Sequence, residues 1–247
     1  MVTIIPAVHS TGAVPTPLAR PIALGGLVFF IDALLYFAYC YTVVFGDVVP
    51  GPIRARAIAI DVGLFSIFAL HHSVFARDTF RNRITRMVGV LERSVYVWIA
   101  SALFIAICAW WQPVAGVIWR IDPPLARWSV QAAQLVGVWI VLRSAFAIDL
   151  LELSGVQQVR RVQEDAPPEF KTSGPYGWVR HPIYSGWFLM VFAVPLMTTT
   201  RFVFAATSSL YLLVAIPFEE RSLRRSSSGA YDRYMQQVRW KLVPRVF

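Results

Sequence analysis

The stretch HPIYSGWFLMVFAVPLMTTTRFVFAATSSLYLLVAIPFEE, residues 181–220, decides the architecture. It contains two apolar runs, Ile183–Thr199 and Phe202–Phe218, with only Thr200 and Arg201 between them. An α-helix rises 1.5 Å per residue, so each run reaches about 25 Å, close to the thickness of a hydrocarbon core. Two such helices joined tightly form a hairpin, and Pro195 and Pro217 are expected to kink or end its arms. A hairpin returns both its ends to one membrane face. His181 and Tyr184 are therefore expected to meet Glu219 and Glu220, although His181 and Glu219 are 38 residues apart.

Upstream lie four further runs: Pro21–Phe45, Ala57–Phe75, Ser94–Trp111 and Val130–Leu151. The whole chain of 247 residues is 57% hydrophobic and 15% charged, which excludes a disordered chain and an ordinary soluble domain. The expected fold is an all-α polytopic transmembrane bundle of about six spans, the last two forming a kinked hairpin. Residues 1–20 read as an N-terminal cytoplasmic segment without the apolar core of a cleaved signal peptide. Residues 21–151 read as a four-span bundle, and residues 152–247 as a loop, hairpin and tail that carry the chemistry.

The net charge of +9 has a topological explanation. With the N-terminus placed in the cytoplasm, 17 of the 23 basic residues fall on the cytoplasmic side. Arg54, Arg56, Arg120, Arg127 and Arg201 fall on the other, and Arg143 lies inside a span. This asymmetry follows the positive-inside rule, puts both termini in the cytoplasm and requires no nucleic-acid partner.

Charged and titratable residues inside spans are costly and usually face the bundle interior. Here they are Asp32, Asp61, His71, His72, Arg143 and Asp149. Arg143 is expected to pair with Asp32 or Asp61 on a neighbouring helix, as structure rather than chemistry. His71 and His72 sit at the cytoplasmic end of the second run, where a histidine binds substrate or simply satisfies itself at the interface. Asp149 and Glu152 share a helix face, with Gly155 and Gln158 following. No spacing of the four histidines or of Cys40 and Cys108 supports a metal site or a disulfide framework.

The richest segment is Thr172-Ser-Gly-Pro-Tyr-Gly-Trp-Val-Arg-His-Pro-Ile-Tyr-Ser-Gly-Trp187, followed later by Phe218-Glu-Glu-Arg-Ser-Leu223 and Tyr231-x-x-Tyr234. In these elements the last 80 or so residues resemble the membrane-integrated methyltransferases of the isoprenylcysteine carboxyl methyltransferase and phospholipid methyltransferase type. Further upstream, His72-Ser-Val-Phe-Ala76, Glu92-Arg-Ser-Val-Tyr-Val97, Trp111-Gln-Pro113 with Trp119, and Glu152-Leu-Ser-Gly-Val-Gln-Gln-Val159 resemble the nurim / methanethiol S-methyltransferase family.

The resemblance implies an enzyme that uses S-adenosylmethionine, without a metal, in a bacterial cytoplasmic membrane. It implies donor-binding roles for Gln158, Phe170, Lys171, Tyr176, His181, Pro182, Ile183, Tyr184, Gly186, Glu219 and Glu220. The prenylcysteine enzymes carry an Arg four residues before the first Glu; Ala215 stands here instead, which fits a small acceptor better than a carboxylate. The residue types suit the chemistry: carboxylates hold an ammonium, and aromatic faces tolerate a sulfonium or stack an adenine. A thiol acceptor reacts as thiolate, so Arg180 and His72 are the candidate catalytic residues. The expected partners are a small or lipid-soluble methyl acceptor and membrane lipids. A prenylcysteine or lipid-linked acceptor, and a nurim-like protein without catalysis, remain alternatives.

Overall fold

The helices arise from apolar composition around their whole circumference, the pattern of segments solvated by lipid rather than by a water-facing side. The structure, a computed structural model, describes residues 17–75, 78–148, 156 and 174–247. The long helices are α1 (Ala19–Thr42), α2 (Ala55–Phe75), α4 (Glu92–Trp110), α5 (Pro124–Ile148) and α7 (Thr199–Ser226). Each belongs to a segment long and apolar enough to cross a membrane. A short charged helix, α3 (Asp78–Val88), joins α2 to α4 inside a segment that reads from sequence as a basic loop. The apolar α6 (Pro182–Phe192) and the tail helix α8 (Ala230–Gln237) complete the helical set among the described residues.

Contacts run α1 to α4, α4 to α2, α2 to α7, α7 to α6 and α6 to α5, so α7 links the N-terminal helices to the α5–α6 pair. The core centres on the fully buried Phe204 of α7, whose ring lies 5.2 Å from that of Trp111 and 5.3 Å from that of Phe37. Tyr41, Phe45, Phe65 and Trp187 surround it.

The hairpin differs from its expected form. Helix α6 stops at Phe192, ahead of Pro195, and its 11 residues cover about half the hydrocarbon thickness. The chain then extends, and β2 (Leu196–Thr198) pairs antiparallel with β1 (Val117–Arg120). Bare backbone groups at this depth are costly, and they find partners. Trp119 Nε1 donates to the Val194 carbonyl at 2.9 Å, and Ile121 N donates to the Pro195 carbonyl at 2.8 Å. Thr200 and Arg201, expected as the turn, lie in the first turn of α7. Thr198 caps that helix by accepting from Arg201 N at 3.1 Å. Pro217 does not end α7, which continues to Ser226.

Arg201, expected as a loop charge, is a buried clamp. Its guanidinium donates to the carbonyls of Tyr41 at 2.9 Å, Leu196 at 2.7 Å and Thr42 at 2.7 Å. A Cβ on Gly46 would stand 2.5 Å from the same guanidinium, so this glycine admits it. Asp61 is fully buried and accepts from Gln112 N at 2.7 Å, anchoring the end of α4. The expected pairing of Arg143 with Asp32 or Asp61 does not occur among the described residues: Asp32 and Arg143 are both exposed.

Helices α5 and α6 cross at Gly137 and Gly186. A Cβ on Gly137 would meet Met190 N at 2.6 Å, and one on Gly186 would meet the Gly137 carbonyl at 2.7 Å. Small residues permit this backbone approach, which supplies packing where lipid gives no hydrophobic drive between helices. Gly137→Ala is expected to lower the thermal unfolding midpoint in detergent, at an overpacking cost of about 1–3 kcal/mol. Gly63→Ala on α2, with nothing within 4 Å of the new methyl, should leave the midpoint unchanged or raise it slightly.

Candidate active site

The turn Gly174–Gly177 leads to Val179, Arg180 and His181, all buried, and Pro182 opens α6. Proline suits that position because a first-turn N–H has no partner within the helix. The two N–H groups before it are satisfied by the tail: Arg180 N donates to the Trp240 carbonyl and His181 N to the Lys241 carbonyl, each at 2.9 Å. Ser185 Oγ donates to the Leu242 carbonyl at 2.6 Å. Residues 240–242 thus lie across the start of α6 as a strap.

Across the hairpin stand Glu219, 4% exposed, and Glu220, 9% exposed. Neighbours in sequence point about 100° apart on a helix, and these two carboxylates share His181 but otherwise face different partners. Tyr184 Oη donates to Glu219 Oε2 at 2.7 Å, and His181 Nδ1 lies 3.7 Å from the same oxygen. The rings of His181 and Tyr184 stack with centroids 5.3 Å apart. Glu220 Oε1 accepts from Arg180 Nε at 2.8 Å, lies 3.3 Å from His181 Nε2 and is reached by Tyr231 Oη at 3.5 Å. Arg180 also donates to the carbonyls of Val238 at 3.1 Å and Arg239 at 2.6 Å.

Tyr234 Oη donates to the Tyr176 carbonyl at 2.8 Å, closing α8 over the Gly174–Gly177 turn. Burial, followed by the charge of Glu219, pushes the Tyr176 phenol well above its ordinary value. Burial does the same to Tyr231 and Tyr234, with Glu220 adding to it at Tyr231. All three phenols therefore stay neutral across the working pH range, and those of Tyr231 and Tyr234 serve as hydrogen-bond donors.

Helix α2 brings His72 towards this cluster from the other side. Tyr96 Oη of α4 lies 2.6 Å from His72 Nδ1. The ring of Tyr211, on α7 two turns before Glu219, meets His72 edge-on with centroids 6.4 Å apart.

The chain has known counterparts. The family model described as isoprenylcysteine carboxyl methyltransferase (ICMT) family matches residues 137–225. The methanethiol S-methyltransferase of Crocosphaera subtropica is 39% identical, over 74% of this chain and 73% of its own length. Methanethiol S-methyltransferase 1 of Bradyrhizobium diazoefficiens is 36% identical, over 86% and 77%. Nurim of Xenopus laevis is 30% identical over 63% and 58%. No solved structure matches the chain.

The chain belongs to the nurim / methanethiol S-methyltransferase family. It is an integral membrane methyltransferase.

Within this methyltransferase, Tyr176, His181, Pro182, Ile183, Tyr184, Glu219 and Glu220 gather at one end of the hairpin, as the spacing implies. Gly186 does not face the carboxylates: it is consumed by the crossing with α5. Arg180 is engaged with Glu220 and the tail, which makes it a tether. Gln158, Phe170 and Lys171 lie outside the described residues, as do Asp149, Glu152 and Gly155. Sequence patterns do not single out Tyr211 or the strap at 240–242, and Tyr96 appears there only inside the Glu92–Val97 motif, with no role attached. Tyr231 and Tyr234 carry a visible signal, two tyrosines at helical spacing in an otherwise polar segment. The strap carries none, because it acts through its carbonyls.

Replacing Arg180 by Met strands a buried carboxylate, a loss of about 3–5 kcal/mol. Arg180→Met with Glu220→Gln is expected to be less destabilised than Arg180→Met alone, measured as a double-mutant cycle of unfolding in detergent.

Proposed function

We propose that this enzyme transfers the methyl group of S-adenosylmethionine to a small thiol, methanethiol, giving dimethyl sulfide, at the cytoplasmic face of a bacterial membrane. The observation that carries the reading is the meeting of Tyr184 with Glu219 across the hairpin, 35 residues apart in sequence and 2.7 Å apart in space. A buried carboxylate bordered by a stacked His–Tyr pair suits a cationic ligand. Bound there, S-adenosylmethionine supplies an activated methyl group carried on a sulfonium.

Glu219 is assigned to a cationic group of the donor, and Tyr184 orients that carboxylate. Tyr176, Ile183, Pro182 and His181 shape the surrounding wall; Gln158, Phe170 and Lys171, outside the described residues, are assigned to the donor from the family resemblance alone. Glu220 holds this wall through Arg180, His181 and the tail. Methyl transfer is an in-line displacement, so alignment and exclusion of water are what the protein contributes. The relatives named for methanethiol support the acceptor, and Ala215 adds no cation of the kind a carboxylate acceptor needs. The excess of basic residues on the face that holds the cluster supports the cytoplasmic orientation, since the donor is a soluble cytosolic metabolite.

Calorimetry of S-adenosylmethionine with the protein in detergent should give a saturable heat. Glu219→Gln should weaken that binding at least about tenfold, the loss of one hydrogen bond to a charged group. Transfer of labelled methyl to methanethiol, and not to phosphatidylethanolamine or a prenylcysteine, is the expected outcome. Absence of both heat and transfer would sink the reading.

A further inference from the structure

The cluster around His72 is left over once the carboxylates are assigned to the donor. It is built from three helices. His72 and Phe68 of α2 have stacked rings 5.4 Å apart, Tyr96 of α4 lies against His72 with ring centroids 5.5 Å apart, and Tyr211 of α7 closes the group. Tyr184, already bonded to Glu219, stands within electrostatic reach of both Tyr96 and Tyr211. The aromatic cluster thus borders the carboxylate end of the hairpin. Rings, two phenols and an imidazole suit a small uncharged molecule better than an anion.

One arrangement inside it is chemical in character. The Tyr96 hydroxyl lies 2.6 Å from His72 Nδ1 and 3.1 Å from Nε2, within reach of a phenol donating to the imidazole. The Arg93 guanidinium lies 5.0 Å from the centre of the Tyr96 ring, where it favours negative charge building on the phenol oxygen. Other titratable groups facing the pair are Glu92 on α4, His71 on α2, and Tyr211 on α7.

We propose that Tyr96 and His72 form a proton relay for the methyl acceptor, a small neutral thiol seated among Phe68, Tyr96 and Tyr211. The thiol S–H bond breaks, its proton passes to the Tyr96 oxygen, and the Tyr96 proton passes to the His72 imidazole. The thiolate's electron pair forms the new S–CH3 bond as the donor's C–S bond breaks, leaving the donor a neutral thioether. His72 then returns its proton to solvent, so one proton is released per methyl transferred. This assignment rests on the small-thiol reading above, and it explains how a thiol that is mostly protonated at neutral pH becomes a nucleophile.

Two measurements test it. First, thiophenol is added to donor-free protein in detergent, at a pH about one unit below its own pKa, and the thiolate absorbance is read. Wild type should show bound thiolate, while Tyr96→Phe and His72→Asn should bind thiophenol without ionising it. Second, methyl transfer to methanethiol at neutral pH should fall about 100-fold in kcat in either variant. The KM for the donor should stay within about twofold. That deficit should shrink about tenfold per pH unit on raising the pH, because solution thiolate replaces the relay. The relay is overturned by equal ionisation of bound thiophenol in wild type and variants, by no thiophenol binding to wild type, or by a kcat loss independent of pH. If wild type ionises thiophenol yet neither binds S-adenosylmethionine nor transfers methyl, the donor reading fails and the relay stands.

Discussion

Glu220 is a buried carboxylate just past the apolar run of a long membrane helix, and it must be neutralised and hydrogen-bonded there or it costs several kcal/mol. Its partners come from two separate parts of the chain. Arg180 and His181 approach from the start of α6, and Tyr231 from α8. Arg180 then uses its remaining donors on the carbonyls of Val238 and Arg239. One carboxylate therefore ties together the motif loop, the hairpin and the tail. The neighbouring Glu219 and Tyr184 are placed as a consequence.

The opposite end of α7 obeys the same rule with the charge reversed. Arg201 is a buried cation, and it is satisfied by three carbonyls at the end of α1 and in β2. These are carbonyls that a broken span would otherwise leave bare. The helix is pinned by a clamp at each end and by the aromatic packing around Phe204 between them. Such a spine has little freedom to slide, which suits a site whose task is alignment.

The two sides of the site differ in kind. On the α6 and α8 side, carboxylates and phenols form a polar wall suited to a charged, water-soluble molecule. On the α2 and α4 side, His72 and Tyr96 stand among rings suited to an apolar one. Tyr184 and Tyr211 lie between the two. Such a division suits the proposed pairing of a cationic donor with a small apolar thiol.

Much of this architecture is legible in the amino-acid sequence alone. Apolar run lengths define the spans, the distribution of arginine defines a sidedness, and the hairpin from His181 to Glu220 predicts that its ends converge. These are local or additive properties, so composition and spacing suffice. The half-length α6, the β1–β2 pair, the clamp of Arg201 and the Gly137–Gly186 crossing are not legible in that way. Each depends on a group finding a partner far away in the chain, as Val117 finds Thr198 and Arg201 finds Tyr41. The sequence by itself determined which residues could meet at the membrane surface. Only the tertiary structure decided that Arg180 holds Glu220 and the tail, that Gly186 serves packing, and that Tyr96 stands beside His72. Those choices are made by competition among buried polar groups for a limited set of partners, which no single stretch of sequence contains.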